Sequence, residues 1–284
     1  MVIIPVRLLG NIIVIMVKIK GGLGNQLFQY AFGRQMAARL ETDMFLDLSW
    51  YNNPYFDRRY LLDNFNIHYN RHAAAFPAKR YAEQTTQFDE SVLNLSGDVY
   101  FEGYWQSDRY FANISTILLS ELTLRVPLNE QNQKTADLIC QTENSVCIHV
   151  RHGRDILIQP EFVKVCSPSY YNSCIEYISR RFISPKFFVF SDDAGWAAFN
   201  LVHNPSLIFI TQNDEHNAHL DLYLMSLCKH HIIPASTLSW WSAWQASKRN
   251  DGGIILRPDT FYNIMTNRNE TDLFPPAWKV MYDA

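Results

Sequence analysis

The sequence predicts an α/β fold of two Rossmann-like domains whose parallel sheets face each other across a cleft. Three observations carry that expectation. Apolar runs of strand length alternate with helical patterns in both halves, which is the arrangement of strand–helix–strand units in parallel sheets. Residues 146–150 form one such run, long enough for a single buried parallel strand, and it ends in Arg151, His152, Gly153, Arg154 and Asp155. The chain has 284 residues, enough for one large or two small domains.

In the first half, residues 14–19 read as a strand and residues 21–26 as a glycine-rich turn. Residues 27–40 then carry helical apolar spacing, with Leu27, Tyr30, Ala31, Arg34 and Ala38 along one side. Residues 45–48 read as a second strand around Asp47. The free backbone amides at the start of the helix suit an anion. Gly22 and Gly24 also match the G-x-G of a dinucleotide site, with Asp47 roughly 20 residues on, but Leu27 stands where the third glycine belongs. Residues 50–56 and 60–69 are rich in aromatics and irregular, either an acceptor platform or a packed loop. Residues 118–124 and 133–140 read as helix pieces, and Pro127 with the polar run 129–133 as the hinge. The expected domains are therefore 16–135 and 136–284. Residues 1–15, broken by Pro5, Arg7 and Gly10 and followed by Met16, read as a dispensable extension.

In the second half, residues 159–168 read as a loop, 169–181 as a helix and 187–190 as a strand. Ser191, Asp192 and Asp193 follow that strand. A carboxylate there can accept from ribose hydroxyls or a guanine edge, while Ser and Asp are also good caps for a helix over 194–200. Residues 207–210 and 230–234 read as strands, and 221–228 and 238–248 as helices. Ser236 and Thr237 open the last helix, whose free amides and dipole favour an anion. Arg151 and Arg154 suit a phosphorylated ligand, because a guanidinium grips phosphate with two parallel hydrogen bonds.

Composition narrows the class. Hydrophobic residues make up 48% and charged residues 19%, so the chain buries a core. A net charge of −3 argues against general nucleic-acid binding. Five cysteines without CxxC spacing indicate neither zinc nor a disulfide framework, and reduced thiols in the cytoplasm are the simpler reading. No D-x-D flanked by apolar residues is present, so no metal is expected.

The segment KGGLGNQLFQYAFGRQMA resembles the opening of the bacterial α-1,2-fucosyltransferases of glycosyltransferase family 11. Similar blocks recur in order: YFEGYWQSD, CIHVRHGRD, VCSPSYYNSCIEYI, FFVFSDDAGW, DLYLMSLCKHHIIPASTLSWWSAW and FPPAW. The resemblance spans about residues 17–280 and implies the GT-B fold, with the nucleotide on the C-terminal domain and the acceptor mostly on the N-terminal one. It implies inverting transfer of L-fucose from GDP-β-L-fucose to the 2-hydroxyl of a terminal galactose in a β-galactoside glycan. On that reading Arg151, Asn25 and Asp155 are catalytic. Gly24, Asn25, His149, Arg151, Arg154, Asp192, Asp193, Ser236, Thr237 and Ser239 hold the donor. Trp105 is the ring expected to stack on a sugar. His149 either touches the ligand or is a core histidine.

The family's pattern places a second arginine directly after the first. Here His152 stands there, so His152 or Arg154 completes the phosphate grip. The general base is Asp155, Asp108 or Glu102, unranked. The protein is expected in the cytoplasm, with peripheral association at the inner membrane surface left open. A nicotinamide oxidoreductase using Gly22, Gly24 and Asp47, and a non-catalytic nucleotide- or glycan-binding protein, are the alternatives.

Overall fold

The structure is a computed structural model, and it describes residues 13–55, 58–70, 79–153, 163–202, 204–249, 252–263 and 268–283. The first half carries strands β1 (Ile15–Lys18), β2 (Met44–Asp47), β3 (Lys79–Ala82) and β4 (Val99–Glu102). They form a parallel sheet in the order β2-β1-β4-β3. Helix α1 (Leu23–Arg39) follows β1, and the short α2 (Glu90–Leu93) and α3 (Ser115–Glu121) complete this half.

The second half begins with α4 (Glu130–Gln141) and β5 (Ser145–Val150). It continues through α5 (Pro168–Ser179), β6 (Lys186–Ser191), α6 (Ala194–Asn200), β7 (Leu207–Ile210), α7 (Ala218–Leu227), β8 (His230–Ile232) and α8 (Thr237–Ser247). Strands β9 (Ile255–Pro258) and β10 (Lys279–Met281) finish a six-stranded parallel sheet, β10-β9-β8-β5-β6-β7. β5 lies in its interior, with Ile148 beside Ile232 of β8 and Val150 beside Ser191 of β6.

Four sequence expectations are corrected. Helix α1 starts at Leu23, not Leu27, because Asn25 and Gln26 already donate to the Gly22 carbonyl. Gly24, Asn25 and Gln26 are thus its first turn. It also has no single apolar side: Phe28 and Phe32 are as buried as Leu27, since α1 packs both on its own sheet and on α8. The polar run 129–133 is not a hinge. Asn129 caps α4 through its Oδ1, which accepts from the Asn132 amide at 2.9 Å. Ala136 and Ile139 then pack with Cys147, Phe188 and Leu224, so α4 belongs wholly to the second half and the boundary precedes Asn129.

The fold also begins before Met16. Ile15 is fully buried, and Val14 donates to Asp98 Oδ1 at 2.8 Å and accepts from the Val99 amide at 3.0 Å. Residues 1–12 lie outside the described residues.

The two halves share one aromatic core. Phe28 of α1 lies 4.5 Å from Trp240 and 5.1 Å from Trp241, and Phe111 stacks on Trp241 at 5.2 Å and 18°. Leu273, Phe274 and Trp278 return from the C-terminal end to the same cluster. Arg109 pairs with Asp272 at 2.7 Å across the halves.

The packing of α1 on α8 depends on Gly24. A Cβ at Gly24 would stand 2.4 Å from the Thr237 carbonyl carbon and 2.5 Å from the Leu238 nitrogen, both backbone atoms that cannot swing away. Alanine favours a helix over glycine by about 1 kcal/mol. The contact reverses that preference: Gly24→Ala is expected to destabilise by about 1–3 kcal/mol of overpacking. Thermal unfolding checks this, and an unchanged or higher Tm contradicts the contact.

Candidate active site

The carboxyl ends of β5, β6 and β8 meet at one edge of the larger sheet, where open α/β sheets hold ligands. One residue past β5, the Arg151 guanidinium forms an ion pair with Asp192, one residue past β6. The other Asp192 oxygen accepts from the His152 amide at 2.8 Å. A Cβ at Gly153 would stand 2.4 Å from Asp192 Oδ2, so this residue must be small for the loop to lie on the carboxylate. Asp192 therefore ties the β5 loop and orients Arg151. Both its oxygens are engaged, which leaves it poorly placed for the ribose or guanine role expected of it.

Asp193 is the cap among the three residues 191–193. Its Oδ1 accepts from the Trp196 amide at 2.9 Å, and that bond leads the effects that hold its carboxyl below the usual range. His152 stacks on the Trp196 ring at 4.2 Å and 14°, with Nδ1 3.4 Å from Asp193 Oδ2. The His152 ring is committed to α6. Arg154 and Asp155 lie outside the described residues.

Four residues past β8, Ser236 is the N-cap of α8, yet its side chain makes no capping bond. The first amides of the helix are left to other partners, as at any helix start. Thr237 and Ser236 are half-buried at this end. Ser239 is fully buried and its hydroxyl donates to the Ser236 carbonyl at 3.1 Å, so it turns inward. Gly24 seats the N-terminus of α1 directly against that of α8, and two positive helix ends thereby converge. Asn25, half-buried beside them, accepts from Gln106 Nε2 at 2.9 Å.

His149 is buried with Nδ1 unpartnered. Burial pushes its pKa down to about 4, and Arg151 adds to the effect against an opposing pull from Asp192. It is a neutral histidine, not a satisfied core one. By strand alternation it shares a side of the sheet with Cys147, which feels the charge of Asp221. Asp221, in the first turn of α7, is pushed up to about 6 by burial, with one hydrogen bond from Asn213 at 2.7 Å pulling the other way. It opens the block DLYLMSLC, which the sequence reads only as helix, and its carboxylate carries no local sign of a binding role.

Other expectations change. Trp105 is fully buried and stacked on Phe32 at 4.1 Å and 10°, so it cannot stack on a sugar. Asp47 accepts from the Tyr100 hydroxyl at 2.7 Å and the Ser49 amide at 2.9 Å, both within its own half. Tyr51, Tyr60 and Tyr69 form a chain of edge-on rings, with the Tyr51 hydroxyl bonded to the Gly21 carbonyl at 2.9 Å, as in a packed loop. Burial would raise the Glu102 carboxyl, but Lys18 at 3.0 Å and Lys20 at 3.6 Å outweigh it and keep it low. Burial raises the Asp108 carboxyl, against an opposing pull from the charge of Lys248, just past the far end of α8. Glu83, just past β3, was not singled out in the sequence because the strand KRYA carries no apolar run. Among the described residues no group of three His, Cys, Asp or Glu gathers as a metal site.

Comparison with known proteins identifies the fold and its family. The profile of glycosyl transferase family 11 matches residues 53–282. The chain is 32% identical to an alpha-1,2-colitosyltransferase of Escherichia coli, over 93% of this chain and 96% of that one. It is 25% identical to galactoside alpha-(1,2)-fucosyltransferase 2 of Gorilla gorilla gorilla, over 79% and 66%. The crystal structure of NodZ alpha-1,6-fucosyltransferase co-crystallized with GDP superposes with a TM-score of 0.52, at 13% identity, covering 82% of this chain and 92% of that one. The two parallel sheets, joined through the segments past their carboxyl ends, are the GT-B fold.

The histidine at the centre of this site makes a pH prediction. His149 titrates near 6.5 when unfolded and about 4 when folded. Between those values the unfolded chain binds a proton that the folded protein refuses, so this contribution to stability falls as pH drops from about 6.5 towards 4. The unfolding free energy of wild type minus that of His149→Asn is therefore expected to shrink over this window and to be flat above it. A difference that is flat throughout would mean that His149 is solvated.

Proposed function

The chain belongs to glycosyl transferase family 11, and from that membership we propose that it transfers L-fucose from GDP-β-L-fucose to the 2-hydroxyl of a terminal galactose, with inversion. The observation that carries this reading is the ion-paired Arg151 at the carboxyl end of β5, beside the open N-terminus of α8. A departing diphosphate needs such donors.

In this proposal the acceptor oxygen attacks the anomeric carbon as its bond to the β-phosphate oxygen breaks. The electron pair leaves with GDP, and the acceptor proton passes to a base or to solvent. Negative charge grows on the diphosphate while the sugar becomes oxocarbenium-like. Preorganised donors aimed at that charge bind the transition state better than the ground state. Arg151 and the first amides of α8 would take the diphosphate, and Asn25 would offer a further N–H from the acceptor side. Asp221 is the better partner for the guanine edge, since Asp192 and Asp193 are engaged and a raised, half-buried carboxyl gains most from two N–H donors. His149, neutral with an unpartnered nitrogen at the end of β5, would be open to the same ligand. With His152 stacked on Trp196, Arg154 is the remaining side chain to complete the phosphate grip.

The positive charge that a divalent cation supplies elsewhere would come here from Arg151 and helix amides, so the reaction is expected to proceed without metal. Among the described residues no helix is long and apolar enough to cross a membrane. The five free thiols favour a reducing compartment, so we place the protein in the cytoplasm, at most peripherally bound to the inner membrane surface. The likeness to a colitosyltransferase favours a second donor: colitose is fucose without its 3-hydroxyl.

The test is GDP release from GDP-fucose with and without lactose, in EDTA. Release is expected to require acceptor, to survive EDTA and to fall about a hundredfold to a thousandfold in Arg151→Ala. Release only from the colitose donor would move the assignment to that sugar. Failure to bind either donor would refute the reading.

A further inference from the structure

Gln106 joins the two halves at the site. Its Nε2 donates to Asn25 Oδ1 at 2.9 Å, and its Oε1 accepts from the Tyr262 hydroxyl, which lies beyond β9 in the second half. The Arg268 guanidinium, which can only donate, stands over the Tyr262 ring at 5.2 Å, and its charge favours the Tyr262 oxygen as an acceptor. The Tyr262 hydroxyl spends its single hydrogen on Gln106 Oε1. That fixes which end of the Gln106 amide faces Asn25, and it leaves Asn25 with its Nδ2 hydrogens uncommitted to Gln106.

The backbone that carries Gln106 is held unusually firmly. Glu83 accepts from the Tyr104 amide at 2.7 Å and the Trp105 amide at 2.9 Å. A Cβ at Gly103 would stand 2.5 Å from Glu83 Cβ, so the loop lies directly on this side chain. Trp105 has a φ of 56°, a left-handed conformation that costs a non-glycine residue of order 1 kcal/mol or more and survives only where its surroundings impose it. Its stacked, buried ring and the Glu83 carboxylate do so. The Ser107 amide then bonds back to the Trp105 carbonyl at 2.9 Å. Gln106 projects from between these two anchors.

We propose that Gln106 is a positioning residue, which turns the Asn25 amide so that its N–H, not its oxygen, is presented to the ligand, with its own polarity set by Tyr262 and Arg268 from the opposite half. The inference rests on the reading above that Asn25 donates to the substrate. Asparagine presents a donor or an acceptor with nearly equal ease, and only a neighbour of fixed polarity decides between them. The chain from Arg268 to Asn25 is such a neighbour.

The experiment compares kcat, donor KM and Tm for Gln106→Glu, Gln106→Met, Asn25→Ala and the double variant Asn25→Ala/Gln106→Glu, with GDP-fucose and lactose. A glutamate at position 106 accepts from both Tyr262 and Asn25, so it turns the Asn25 amide round. Gln106→Glu is expected to lower kcat about tenfold or more, with donor KM and Tm little changed, because the lost donor acts on charge that appears in the transition state. Gln106→Met, which keeps the size and adds no charge, is expected to lower kcat in the same sense. The double variant is expected to be no slower than Asn25→Ala, since there is no amide left to turn. If Asn25→Ala is slow while both Gln106 variants match wild type, the positioning role is overturned and the role of Asn25 stands. If Gln106→Glu costs as much in the Asn25→Ala background, Gln106 acts elsewhere and the inference fails. If Asn25→Ala itself is silent, the reading of Asn25 falls and the inference falls with it.

Discussion

The close approach of Gly24 to the backbone of Thr237 and Leu238 is the constraint on which the rest of the structure depends. It brings the N-terminus of α1 against that of α8 and so sets one half of the chain on the other. Phe28 can then reach Trp240 and Trp241, and Phe111 can stack on Trp241. Without this contact the rings of both halves would face water; with it they form one core. The same contact gathers two positive helix ends and Asn25 near the carboxyl end of β8, beside that of β5.

Around that meeting point each polar group is fixed by another. Asp192 holds Arg151 and the His152 amide at once, and Asp193 caps α6 while His152 lies on Trp196. A guanidinium already oriented before ligand arrives loses less freedom on binding than a free surface arginine does. His149 is the exception, buried with an unpartnered nitrogen, while Asp221, bonded to Asn213, has its carboxyl raised by burial; groups in those conditions are the ones a ligand can satisfy.

The sequence made the α/β class, the parallel sheets and the strand end at Arg151 legible, because buried parallel strands are written as short apolar runs. It hid β3, whose residues KRYA are largely exposed and carry no such run. It disguised the start of α1, because Gly24 looks like turn chemistry when its real task is to be thin against α8. Trp105 looked like a sugar platform, yet a ring says nothing of which way it points, and this one stacks on Phe32. Asp192 is held in a bond network instead of standing open to a ribose or guanine edge for a similar reason. A carboxylate after a strand is conspicuous, but its partners, 40 or 41 residues away in Arg151 and His152, decide whether it is free. The bond between Gln106 and Tyr262 spans 156 positions, and no local pattern announces it.

We propose that the donor diphosphate is held where β5 ends and α8 begins. A crystal structure of the GDP complex tests it most directly. The β-phosphate is expected within hydrogen-bond distance of the Arg151 guanidinium and of the first amides of α8, with the guanine edge on Asp221. A diphosphate bound instead along the Gly21–Gly22 turn, with the ribose on Asp47, would contradict it and restore the dinucleotide reading of the first half.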